Sequence, residues 1–248
     1  VQRGIKAIDK VLQKGVERGK VTEEQKSSVL GRIIGTTDMG ELAKADFIIE
    51  AVIEDLDLKK QVFSQLDEIC RPEVILATNT SSMSVTLIAA ATKRQDKVVG
   101  MHFFNPVPLM KLVEIIHGFG TSDETVAITT ALAQKMGKET VEVKVDSPGF
   151  IVNRLMIPHM IEAVKLLEEG VATKEDIDKA IKLGLNYPMG PFELMDFTGI
   201  DICKYVANYF YLELNKEQKW AVPTVMKNQV RSGFVGRKSG KGWYDYSK

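Results

Sequence analysis

With 248 residues the chain can bury the core of one large domain or of two medium ones. Lysine plus arginine equals aspartate plus glutamate at 33 each, and the formal net charge of zero argues against a nucleic-acid binder, which carries a basic excess. No apolar run approaches the roughly 20 residues of a membrane span, and Cys70 and Cys203 form neither a disulfide framework nor a metal-type cluster, so a soluble cytoplasmic protein without a metal is expected.

Residues 2–18 carry Ile5, Ile8, Val11 or Leu12, and Val16 at helical spacing and close on Gly19, which predicts an amphipathic helix. The pattern is already running within a few residues of Val1, so a preceding segment is expected to be missing. Thr22-Glu23-Glu24-Gln25 is a capping box that opens a short helix towards Ile33. After the turn-rich stretch 35–40, Phe47–Val52 is an apolar run with one charge and suits a strand buried on both faces. Leu58, Val62, Leu66 and Ile69 restore helical period over 56–69, and Val74–Thr78 is the next buried strand. A short helix is expected over 85–90. Strands follow at 97–104 and 111–116 on either side of the Asn105-Pro106-Val107-Pro108 turn, then a helix over 122–136 and a strand over 140–145. Strands alternating with helices predict a parallel sheet with crossovers.

The character changes at Asp146-Ser147-Pro148-Gly149, where Asp146 or Ser147 can cap a helix with Pro148 in its first turn. Beyond it come helices over 150–169 and 173–183, others after Gly190-Pro191 and near Val222-Pro223, and almost no strand signal. The boundary therefore divides the chain into an α/β part, 1–147, and an all-α part, 148–248. The glycine-rich basic loop 236–242 has the composition of a phosphate cradle or of a flexible tail.

In open parallel sheets ligands bind outside the carboxyl ends of the strands. Three such ends are polar here: Glu50 to Glu54, Asn79-Thr80-Ser81-Ser82, and His102-Phe103-Phe104-Asn105-Pro106. Glu114, on the strand after the turn, could meet His102 and fix its tautomer and orientation. Singly, each residue has a plainer reading. A strand-end histidine is more often structural, Glu114 a solvated strand residue, and Ser81 and Asn105 turn formers. His117 and His159 are the other histidines, and neither has a comparable polar setting.

Taken together the motifs are more specific. Residues 97–116, with His102-Phe103-Phe104-Asn105-Pro106 at their centre, closely resemble the signature of the 3-hydroxyacyl-CoA dehydrogenases. So do Ala77–Ser82, Asp146–Arg154, Asn186–Pro191 and Gly236–Gly242, in order along essentially the whole chain. The likeness is greatest to the short bacterial members acting on 3-hydroxybutyryl-CoA. It implies an enzyme that interconverts 3-hydroxyacyl-CoA and 3-oxoacyl-CoA by hydride transfer with NAD, the phosphorylated cofactor being left open. By the same resemblance His102 is the acid–base residue, Glu114 its partner, and Ser81 and Asn153 contact substrate. Glu54, Lys59, Ser81, Asn105 and Lys238 fall on the cofactor side. The helical part would pair two subunits into a homodimer.

That family opens with a strand, a Gly-x-Gly-x-x-Gly turn, a helix and a second strand ending in an acidic residue. The sequence starts after them, so the expectation is an N-terminally truncated Rossmann-type sheet followed by an all-α domain. As written it is expected to bind dinucleotide poorly, since the missing turn holds the pyrophosphate. The alternative is a non-enzymatic acyl-CoA-binding or structural module of the same superfamily. The presence of His102, Glu114, Ser81 and Asn153 favours the enzyme, because a structural role needs none of them. A module of a larger fused chain is disfavoured by the ending Tyr244–Lys248, which resembles the terminus of the short form.

Overall fold

In the computed structural model, which describes residues 1–247, five strands form one sheet in the order β1–β2–β3–β4–β5. β1 (Phe47–Glu50), β2 (Ile75–Thr78) and β3 (Val98–Phe103) run parallel, linked through α3 (Leu56–Ile69) and α4 (Val85–Ala89). β4 (Leu112–His117) runs antiparallel to β3, and β5 (Glu139–Val143), reached through α5 (Asp123–Lys135), is parallel to β4. The sheet is thus mixed, not wholly parallel. A parallel return needs a crossover of about a dozen residues or more, and the connection 104–111 is too short, so the chain doubles back.

Alternate residues of a strand face opposite sides of a sheet. Leu76, Val98 and Ile116 accordingly pack with Phe63 and Leu66 of α3 and Ile88 of α4 on one side. Ile75, Ala77, Val99, Met101, Val113 and Ile115 pack with Val126 and Ala133 of α5 on the other. The helices α1 (Gln2–Glu17) and α2 (Glu23–Gly31) lean on each other through the Lys26–Asp9 ion pair at 2.9 Å and contribute no buried residue. Thr22 and Gln25 form the expected capping box.

From residue 152 the described chain is helical: α6 (Val152–Glu168), α7 (Lys174–Gly184), α8 (Pro191–Thr198), α9 (Ile200–Glu213) and α10 (Thr224–Arg231). They close on a core of Ile157, Met160, Val164, Phe192, Phe210 and Trp220. Two features were not placed by the sequence reading. α8 and α9 are separated at Gly199, whose φ of +104° no side chain adopts easily. The turn-rich stretch before β1 contains a 3₁₀ segment, Met39–Lys44, capped by Asp38. Among the described residues no helix is long and apolar enough to cross a membrane.

Candidate active site

The antiparallel register of β3 and β4 sets His102 directly opposite Glu114. Opposed residues of such a pair project from the same face, and His102 Nδ1 lies 2.7 Å from Glu114 Oε2. Both side chains are buried, Glu114 completely. A carboxylate withdrawn from water needs its remaining lone pairs occupied. Glu114 Oε1 accepts the backbone N–H groups of Ile151 and Val152, each at 3.0 Å, where α6 begins. Those N–H groups have no partner inside their own helix, so the contact satisfies both sides. With Nδ1 held by the carboxylate, Nε2 is the ring nitrogen left to exchange a proton with a ligand. The rings of Phe104 and Phe150 stand 4.5 and 5.6 Å from the imidazole, centroid to centroid, and form apolar walls beside it.

The loop after β2 lies alongside. Asn79 Oδ1 accepts the Phe103 N–H at 2.9 Å and ties this loop to β3. Ser81 donates its backbone N–H (2.6 Å) and its hydroxyl (2.8 Å) to Glu54 Oε1. Asn153 Nδ2 donates to the Ser81 carbonyl at 2.9 Å. The carboxyl ends of β1, β2 and β3 and the first turn of α6 therefore converge, as expected of a ligand site in an open sheet.

Lys59 is placed otherwise than a ligand-facing residue. It is 1% exposed, with Nζ 2.9 Å from Glu50 Oε1 and 3.5 Å from Glu54 Oε2. A buried ammonium persists when paired, and here the pairing braces Glu54 beneath Ser81. Glu50, expected only as part of a polar strand end, is the internal partner of Lys59: it also accepts the Thr78 hydroxyl at 2.7 Å and the Val52 N–H at 2.6 Å. Its signal was the single charge in an otherwise apolar strand run. Asn105 is exposed on the β3–β4 turn. Lys238 pairs with Asp201 (2.7 Å) in the helical part, not with the His102 cluster. His117 is half-buried and pairs with Glu142 at 2.9 Å, while His159 packs near Tyr187.

The loop 236–244 is held in place from within. It wraps the buried Asp196, whose two carboxylate oxygens accept the Trp243 and Tyr244 N–H groups at 2.9 Å each. A Cβ at Gly236 would run into the Asp196 backbone and one at Gly242 into its carboxylate, so the glycines mark close approach to this residue.

Two family profiles match in tandem: 3-hydroxyacyl-CoA dehydrogenase, NAD binding domain, over residues 1–146, and 3-hydroxyacyl-CoA dehydrogenase, C-terminal domain, over residues 149–246. The chain belongs to the 3-hydroxyacyl-CoA dehydrogenase family. It is 45% identical to a probable 3-hydroxybutyryl-CoA dehydrogenase of Bacillus subtilis, across 100% of this chain and 85% of that protein. The 3-hydroxybutyryl-CoA dehydrogenase of Clostridioides difficile is 47% identical, across 100% and 88%. The crystal structure of (S)-3-hydroxybutyryl-CoA dehydrogenase from Ralstonia eutropha superposes with a TM-score of 0.96 at 44% identity, covering 100% of this chain and 87% of that one. In this 3-hydroxyacyl-CoA dehydrogenase the two profiles meet beside the N-terminus of α6, the same place where helical backbone reaches into the His102–Glu114 pair.

Proposed function

We propose that the protein interconverts 3-hydroxybutyryl-CoA and acetoacetyl-CoA with NAD, His102 serving as acid–base residue and Glu114 as its partner. The observation that carries this reading is the buried His102–Glu114 pair at 2.7 Å, with the second carboxylate oxygen already occupied. In the oxidising direction His102 Nε2 takes the proton of the 3-hydroxyl, and Glu114 faces the imidazolium that results. In the reducing direction the same nitrogen returns it. Ser81 and Asn153, linked to each other beside the pair, orient the substrate's oxygen. A structural module would have no use for a fully buried carboxylate committed to one imidazole, which favours the enzyme.

NAD, when bound, supplies the carbon that exchanges hydride with C3 of the acyl chain. The polar rim at the carboxyl ends of β1–β3 suits its nicotinamide end, with Glu54 and Ser81 facing it and Asn105 on the adjoining turn. Lys59 acts there through Glu54, being saturated by two carboxylates. Lys238 keeps its place on the cofactor side by family resemblance, and its half-exposed ammonium would reach that ligand by leaving Asp201. We divide the chain at residues 147 and 148 into a Rossmann-type domain and a helical domain. Leu155, Leu183, Leu185 and Leu212 of the helical domain are exposed and support a homodimer formed through it. Cys70 and Cys203 are free and buried, in keeping with a reducing cytoplasm.

The test is NADH-dependent reduction of acetoacetyl-CoA by the full-length protein. His102→Gln is expected to lower kcat by about 10²–10⁴-fold; an inactive wild type, or an unimpaired variant, sinks the reading. Sedimentation at micromolar concentration checks the dimer, and a monomer there would count against it.

A further inference from the structure

Four non-glycine residues among those described have positive φ: Phe150, Asn186, Asn215 and Lys216. The last three are exposed, and asparagine tolerates this conformation. Phe150 is different. It is buried at 4% exposure, has a φ of +54°, and follows Gly149 at +76°. An aromatic side chain in the left-handed region is strained, and such strain persists where the surroundings enforce it. Gly149 supplies the enforcement: a Cβ there would overlap the ring of Phe210 in α9, and its N–H reaches the Ser82 carbonyl at 3.3 Å.

The consequence of the two left-handed residues lies one and two positions on. The chain turns so that Ile151 and Val152 aim their N–H groups at Glu114 Oε1, and the Phe150 ring comes to rest 5.6 Å from the imidazole. A residue that merely fills the core would need apolar bulk at this point but no left-handed backbone. We propose that Phe150 is a positioning residue for the reaction, its backbone conformation delivering the two donors that hold Glu114, and through it His102, in register. The inference rests on the dehydrogenase reading above and deepens it. Without those donors one oxygen of a fully buried carboxylate lies unpaired, and the carboxylate can rotate away from the ring it orients.

The experiment compares Phe150→Gly with Phe150→Val in the full-length protein. Both remove the ring. Glycine accepts positive φ freely, whereas a β-branched residue resists it. The valine variant is expected to show kcat about ten- to a hundredfold below the glycine variant, with KM for acetoacetyl-CoA within about twofold and a displaced pH profile of kcat. Placed on a Glu114→Gln background, the gap between the two should close. Equal kcat in the two variants, or a gap that persists without Glu114, overturns the proposal. If the valine variant does not fold by circular dichroism, Phe150→Ala replaces it, since alanine also disfavours positive φ, and the same outcomes apply. Loss of the functional reading would show elsewhere, in an inactive wild type or an unaffected His102→Gln.

Discussion

Asp178 and Asp196 are buried carboxylates of the helical part, and among the described residues neither forms an ion pair. Asp178 accepts the Phe192 and Glu193 N–H groups at 2.8 and 3.0 Å, at the start of α8, and the Tyr244 hydroxyl at 2.8 Å. Burial nonetheless pushes its carboxyl above the usual aspartate range, and burial together with Asp178 pushes the Tyr244 phenol up. A carboxyl whose pKa rises on folding stabilises the fold below its unfolded pKa, and that contribution is lost as pH climbs through the folded value. Asp178→Asn leaves one donor without an acceptor and is expected to cost about 1–3 kcal/mol in urea unfolding. The deficit should narrow as pH rises from the ordinary aspartate value of 3.8 through the raised one; a deficit that widens over that window would contradict the account. At this scale the sequence was legible for the placing of the residues its motifs single out, though not for Lys59 and Lys238, which lie in ion pairs within the chain. His102, Glu114, Ser81 and Asn153 come together in the fold. The Ile151 and Val152 donors were not legible, because a backbone N–H has no letter of its own, and neither was the left-handed turn of Phe150.

Among the elements, every strand and most helices were foreseen, since buried strands and amphipathic helices carry their period in the order of residues. The direction of β4 was not foreseen as a departure from a parallel sheet, although the shortness of the β3–β4 turn contained the information. The same reversal is what sets His102 across from Glu114. The break between α8 and α9 was not placed either, since helices were expected after Gly190-Pro191 without a boundary at Gly199. Its left-handed φ, and the 2.8 Å that would separate a Cβ there from Asp201 Oδ1, show that it is required. Gly199→Ala is therefore expected to destabilise by roughly 1–3 kcal/mol in spite of alanine's better helix propensity. Thermal unfolding decides it, and a raised Tm would mean the break is incidental.

The whole molecule has separate cores, one in the helical part and one on each face of the sheet. The polar links that join the two parts gather mostly at the start of α6. Glu114 accepts the Ile151 and Val152 N–H groups, Asn153 donates to the Ser81 carbonyl, and the Tyr209 hydroxyl accepts the Ser84 N–H at 3.4 Å. Burial lifts the Tyr209 phenol to about 12, so it stays neutral across the physiological range. Native-state amide exchange should accordingly resolve two cooperative units, the sheet with α3–α5 and the bundle α6–α10. One common opening energy for both would refute the division. A further consequence concerns biosynthesis. The Asp196 carboxylate lies near the middle of the bundle sequence, but the amides that satisfy it belong to Trp243 and Tyr244. On the ribosome the bundle can gather its helices early, yet it holds an open, charged seam until Trp243 and Tyr244 emerge from the exit tunnel. Final closure of this half is thereby tied to synthesis of the 236–244 loop.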